Sequence, residues 1–316
     1  MEFSSTKGAI VLVAYNRPDE LQRVLSSIKS SKREIINELV ISLHLGNRDV
    51  EALCYEIDWI RTRILEKRHD SSSTKKKINQ NVFAGIKGAF ENPANDWVVV
   101  IEDDIVVSED FFFFVSEMMK RFSKDKNFFG INGFSGVPRK NSKSSEFGRY
   151  RYGFGWGWAL SREKWISLNR YWSGQEDFHW DQLIEPVVKS GYVIMPLQSR
   201  IKNIGFNEKA SHTYRKGQDF YVQEQKLLDS FVETTSNGLY EERSIDLNWR
   251  HDCRVYLNFP RWQALIVSGI YKIKKICRTK PQDSALIPFL KSIANRVLDL
   301  IVNSIYVYRD LKGRRR

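Results

Sequence analysis

The sequence predicts an α/β protein: a Rossmann-like mixed sheet flanked by helices, with a basic helical appendage at the C-terminal end. Three observations carry this expectation. Apolar strand-like runs alternate with amphipathic segments over roughly the first 130 residues, the pattern of βαβ units. Two of the runs, "AIVLVAY" (9–15) and "WVVVIEDD" (97–104), are apolar without alternation until the acids, as expected of strands covered on both faces. The charge excess is confined to one end. Of 50 Lys/Arg and 38 Asp/Glu in 316 residues, 13 and 3 lie in residues 261–316, leaving 37 and 35 in the rest. The expected division is a body over 1–250 and a basic amphipathic tail over 251–316.

The elements follow in order. After "AIVLVAY" the chain breaks at "NRPDE", and "ELQRVLSSIKS" reads as a helix entered through Pro18, whose fixed φ suits a first helical turn. "ELVISLHLG" is the second strand. "DVEALCYEIDWIRTRILEKR" reads as one amphipathic helix, and "HDSSSTKKK" as a polar, basic loop. "INQNVFAGIKGAFEN" is a helix stopped by "NPAND". "WVVVIEDD" is the third strand, and "EDFFFFVSEMMKRFSKD" returns to a helix. The stretch "FGINGFSGVPRKNSKSSEFGRYRYGFGWGWALSREKW" is rich in Gly and aromatic residues, suited to pocket walls that a ligand approaches closely. "HWDQLIEPVVKSGYVIMP" reads as a helix then a strand, and "NIGFNEKASHTYRKGQDF" as an irregular loop able to order over a ligand. In the tail, Leu286, Leu290, Ile293, Val297, Leu300 or Ile301 and Ile305 recur at helical spacing among basic residues.

Several function classes lose support. Neither G-x-G-x-x-G nor G-x-x-x-x-G-K-[ST] occurs, which disfavours dinucleotide and P-loop sites. Cys54, Cys253 and Cys277 make no metal spacing and no disulfide framework, which suits a reducing, cytoplasmic setting. No apolar run reaches the length of a membrane span, and the N-terminal stretch does not read as a secretory leader.

Glu102, Asp103 and Asp104 close the third strand. Adjacent carboxylates repel, and a parallel sheet places its working groups at the carboxyl ends of its strands. Mg²⁺ or Mn²⁺, with hard oxygen ligands, would relieve the repulsion and could hold a diphosphate. The competing reading is a solvated acidic turn ahead of the helix that starts near Asp110.

Taken in order, "AIVLVAYNRP", "VVVIEDDIVVSEDFF", "GFGWGWALSREKW", "HWDQL" and "NIGFNEKASHT" resemble the GT-A-fold glycosyltransferases similar to N-acetylglucosaminyltransferase I and its bacterial sugar-transferase relatives. The likeness runs over roughly residues 8 to 222 and leaves out the tail. It implies a hexosyl- or N-acetylhexosaminyltransferase acting on a nucleoside-diphosphate sugar. By position, the resemblance makes Asp104, the last acid of the DXD-like signature, the metal contact. Glu102 and Asp103 would hold ribose, donor sugar and metal-bound water. Asn16 and Arg17 would border the base and phosphates, and Asn81 the base. Asp181 would be the catalytic base, with Asp177 as its rival, and Ser211 and His212 would close on the diphosphate, His212 also serving as a possible metal ligand. Gly155 and Gly157 would let the backbone approach the donor, and Trp156, Trp158 and Trp165 could stack on a sugar face, with a core role equally open for Trp165 on its predicted helix. His44 stands where the relative has an acid that meets the uracil edge, a departure that bears on whether the base is uracil.

Inversion suits a base on one side of the sugar and a metal on the other. The basic tail is expected to lie on an anionic membrane surface, where a lipid-linked or glycan acceptor would be met; a helical pair packed on the body or on a second subunit is the alternative, and a homo-oligomer is possible. Nucleic acid is not expected as a partner. Two other functions stay open on the residues alone: a sugar-nucleotide nucleotidyltransferase, and a non-catalytic membrane-associated protein that binds glycan or nucleotide.

Overall fold

A computed structural model describes residues 6–68, 74–135, 143–150, 156–172, 191–205 and 240–242. The chain divides into two compact units, Met1–Tyr214 with Lys226–Ile245, and Arg215–Gln225 with Asp246–Arg316. All the described residues belong to the first unit.

Its frame is a mixed sheet whose strands run in the order β11 (Glu241–Glu242), β7 (Glu146–Tyr150), β9 (Tyr192–Pro196), β6 (Phe128–Asn132), β8 (Trp158–Ser161), β4 (Trp97–Glu102), β1 (Gly8–Ala14), β2 (Ile36–His44) and β3 (Thr62–Lys67). β1, β2, β3 and β4 are parallel neighbours. All seven residues of β1 are buried, which explains its unbroken apolar sequence. Helices α1 (Pro18–Ser30), α2 (Arg48–Tyr55) and α3 (Thr74–Glu91) make the crossovers. α1 buries Leu21, Val24, Leu25 and Ile28, an i, i+3, i+4, i+7 stripe. Asn47 caps α2, its side chain accepting from the Asp49 and Val50 amides.

α3 lies close to the sheet through two glycines. A Cβ at Gly85 would collide with Val11 and meet Ser42, and one at Gly88 would collide with Leu65 and meet Val40. These contacts also assign faces. Val11, Ser42, Val40 and Leu65 point toward α3, and so does every second residue from them along β1, β2 and β3.

Beyond β4 the sheet becomes mixed. β8 (Trp158–Ser161) is antiparallel to both β4 and β6 (Phe128–Asn132). β9 (Tyr192–Pro196) runs parallel to β6 and antiparallel to β7 (Glu146–Tyr150), and β11 (Glu241–Glu242) extends the edge. α4 (Phe111–Phe122) buries Phe111, Phe112 and Phe114 in the core, and α5 (Arg162–Trp172) follows β8. A second, two-stranded sheet pairs β5 (Ile105–Val107) antiparallel with β10 (Ile201–Asn203).

Over the described residues the predicted α/β architecture is present, with two corrections: α3 begins at Thr74, inside the stretch read as a loop, and one predicted helix is in fact a helix and a strand. Residues 49–68 are two elements: α2 ends at Tyr55 and 62–67 are strand β3. The edge position explains the misleading sequence. Among the described residues β3 pairs only with β2, and none of its six residues is fully buried, so no apolar run marks it. Trp165 is buried against Phe83, Phe90 and Trp172, as a core residue. Among the described residues no helix is long and apolar enough to cross a membrane. The tail lies outside the described residues.

Candidate active site

The strand order creates a crevice. From β1 the chain steps outward to β2 and β3, then α3 carries it back across to β4 on the other side of β1. At such a switch point the loops after β1 and β4 turn in opposite directions and leave an opening at the carboxyl ends of the strands. Tyr15, Asn16 and Arg17 follow β1, and Glu102–Asp104 end and follow β4; Val13 is in register with Glu102.

Asp103 and Asp104 are buried, with 8% and 6% of their surface exposed, while Glu102 is half-buried. Two of the three acids are therefore not a solvated turn. The Tyr15 amide donates to Asp103 Oδ2 at 3.0 Å. The Arg17 guanidinium donates to Asp104 Oδ2, with Asp103 Oδ1 4.0 Å from the same nitrogen. β10 closes the other side: the Ile204 amide donates to the Asp104 carbonyl at 2.8 Å, and the Gly205 amide to Asn203 Oδ1 at 2.8 Å. Gly205 is required by contact, since a Cβ there would overlap both the Asp104 carboxylate and the Arg17 guanidinium.

The electrostatics are unbalanced. Burial, and next the neighbouring Asp104 charge, push the Asp103 carboxyl up to about 7, against the opposing pull of Arg17 and the Tyr15 amide. Burial also raises Asp104, outweighing its pairing with Arg17. Arg17 is itself partly desolvated, but the two aspartates hold its proton more tightly than in water. One guanidinium thus faces two buried carboxyls. Asp104 Oδ1 is buried and has no hydrogen-bond partner among the described residues, a costly arrangement for an anionic oxygen. A divalent cation with oxygen ligands fits these groups. Among the described residues, though, no group of three His, Cys, Asp or Glu could hold one alone, so water and ligand oxygens would complete its shell.

The other expected residues divide into three sets. Asn16 is exposed at the crevice. His44 ends β2, half-buried, its ring edge-on to Tyr15 with centroids 4.5 Å apart. Asn81 is buried on α3, one turn before Gly85 on the sheet-facing side and nearer the carboxyl ends of the strands. These join the crevice. Trp156 packs on Phe134, centroids 5.0 Å apart, and remains half-buried. Trp158, 5% exposed in β8, is a core residue and offers no face to a sugar. Gly157, at φ +56°, packs beneath Ile201 and Phe111, so its lack of a side chain admits β10 and not a donor. Gly155, Asp177, Asp181, Ser211 and His212 lie outside the described residues. Sequence reasoning passed over Tyr15, which anchors Asp103 through its backbone and leaves its own ring 42% exposed. Its position immediately after a buried run was the available signal.

A family model for the GNT-I family matches residues 9–252, more than half of the chain. The chain belongs to the GNT-I family. It is therefore a glycosyltransferase, and of the three functions left open by the residues this one stands. No curated protein matches the sequence. Among solved structures, the crystal structure of S. aureus TarS 1–349 is similar at 10% identity with a TM-score of 0.48, over 84% of this chain and 80% of that one. The GNT-I match spans the crevice and the segments holding Asp181 and His212, and stops before the bulk of the basic tail.

Proposed function

We propose that this glycosyltransferase moves a sugar from a nucleoside-diphosphate sugar, a uridine diphosphate sugar, to a hydroxyl of an acceptor glycan, with a divalent cation and with inversion. The observation that carries the reading is the buried Asp103–Asp104 pair at the switch point, faced by a single arginine and keeping one carboxylate oxygen without a partner among the described residues.

Each residue has a task that its chemistry permits. Asp104 would hold Mn²⁺ or Mg²⁺ through Oδ1, while Asp103 and Glu102 would orient ribose, donor sugar and the water that completes the cation's shell. When bound, the cation neutralises charge on the departing diphosphate. Arg17 can exchange its carboxylate partner for a phosphate oxygen, because a guanidinium matches either planar group. Asn16, His44 and Asn81 border the nucleoside. Ser211 and His212 close over the diphosphate, His212 as a phosphate donor or further metal ligand; Gly155 and Trp156 line the donor side.

Asp181 acts as general base. An acceptor hydroxyl is a weak nucleophile at neutral pH, so a carboxylate must take its proton as the oxygen attacks the anomeric carbon. The new C–O bond forms as the bond to the diphosphate oxygen breaks, and the electron pair leaves with the nucleoside diphosphate. The basic tail is assigned to an anionic membrane surface at the cytoplasmic face, where a lipid-linked acceptor would be presented.

A thermal-shift panel of nucleoside diphosphates with and without Mn²⁺ tests this reading. Stabilisation that needs both nucleotide and metal, largest for UDP, supports it. No response to any nucleotide would overturn it.

A further inference from the structure

The row of side chains at the carboxyl ends of β1, β2 and β3 ends in an unassigned lysine. Ala14 is in register with Leu43, which brings Tyr15 opposite His44, and His44 is in register with Lys67. Tyr15, His44 and Lys67 all fall on the face covered by α3, by the alternation that runs from Val11, Ser42 and Leu65. Neighbouring strands lie about 4.8 Å apart, so the row extends about 10 Å from the Tyr15 end to Lys67. Its Tyr15 end adjoins Arg17 and the aspartate pair, where a diphosphate would be held. A nucleoside laid along the row from that point turns the edge of its base farthest from the ribose toward Lys67.

We propose that Lys67 is a specificity-determining residue of the donor site, its ammonium donating to a ring carbonyl oxygen on the distal edge of a pyrimidine base. This rests on the nucleotide-sugar reading above and deepens it. Lys67 Nζ is half-buried, and its hydrogen bond is a long one, 3.5 Å to the Gln80 carbonyl. Among the described residues no carboxylate pairs with it. Burial, then the charge of Lys87, lower its proton affinity, as expected for a cation with unmet donor capacity. The proposal also accommodates His44 in place of an acid. An imidazole can accept from the ring N–H beside the carbonyl, as a carboxylate would, while Lys67 supplies the charge-assisted donor. Uracil carries this carbonyl; cytosine carries an amino group at the same position and would present a donor to a donor.

The test is calorimetric titration of the full chain with Mn²⁺ and three probes: UDP, CDP and inorganic pyrophosphate. The wild type should prefer UDP to CDP by tenfold or more, on the order of one charged hydrogen bond. Lys67→Met should weaken UDP about tenfold, erase the preference over CDP and leave pyrophosphate unchanged. Lys67→Arg should keep most of the preference, which separates lost recognition from misfolding. A wild type that binds UDP, with Lys67→Met binding it equally well or keeping the UDP-to-CDP ratio, overturns the role of Lys67 alone. A wild type that binds neither UDP nor pyrophosphate overturns the donor-site reading and this inference with it.

Discussion

Replacing Arg200 by Met should cost the fold about 3 kcal/mol and loosen the site at the same time. Arg200 is 2% exposed. Its Nε donates to Asp110 Oδ2 at 3.1 Å, and its guanidinium lies 4.4 Å from the Phe114 ring centroid and 5.2 Å from that of Tyr240. Removing one partner of a buried ion pair costs ~3–5 kcal/mol, because the other charge remains buried. Here Asp110 keeps two donors, Ser108 Oγ at 3.0 Å and Tyr240 Oη at 3.1 Å. Methionine also retains much of the packing on Phe114, so the lower end of the range applies. For a domain of this size that is a fall in Tm of roughly 6–12 °C. Thermal unfolding followed by circular dichroism measures it. Pairing the change with Asp110→Asn should recover a substantial part of the loss, since the stranded charge is then gone. The consequence for the site follows from the backbone. The Ser108 amide donates to the Arg200 carbonyl at 2.8 Å, and β10 begins at the next residue and ends against Asp104. Stabilisation of the variant by Mn²⁺ with UDP should therefore shrink as well. A loss below about 1 kcal/mol, with no recovery in the double variant, would refute the reasoning.

Two further outcomes follow from the crevice. Gly205→Ala places a methyl group against the Asp104 carboxylate and Arg17, and should lower sugar transfer by tenfold or more, read as product formed per minute, with little change in Tm beyond about 3 °C. The metal-free protein should lose stability as pH rises from about 4 toward 7. The folded Asp103 carboxyl, pushed up to about 7, holds its proton over a range in which the unfolded chain, at 3.8, has released it; more protons bound in the folded state means stability falling with pH. Urea unfolding at several pH values in EDTA should show this slope, flattened in Asp103→Asn.

The legible parts of the molecule were those in which local sequence and tertiary role coincide. "AIVLVAY" could be read as a covered strand because β1 is buried on both faces. Placing Glu102–Asp104 at a strand end needed only the switch from apolar to acidic residues. Other features depend on partners far away in the chain. Arg17 meets Asp104 across 87 positions, and nothing in "YNRP" specifies that partner. β5 and β10 are three residues each and nearly a hundred positions apart, too short to leave a periodic signal. β3 is an edge strand whose charges look helical when read on from α2, which hid the register of Lys67 with His44. Trp158 and Gly157 belong to a region correctly read as aromatic and glycine-rich, but whether a ring faces a cavity or a core is set by the antiparallel insertion of β8, which composition does not encode.

The central claim is that Asp104 offers a buried oxygen to a metal that holds the donor. Calorimetric titration of UDP into wild type and Asp104→Asn, each with Mn²⁺ and with EDTA, tests it most directly. We expect UDP to bind the wild type only with Mn²⁺, and Asp104→Asn to lose that metal-dependent affinity by about a hundredfold, the scale of one buried charged ligand. Equal UDP affinity with and without metal, or an Asp104→Asn variant that binds as the wild type does, would contradict the claim.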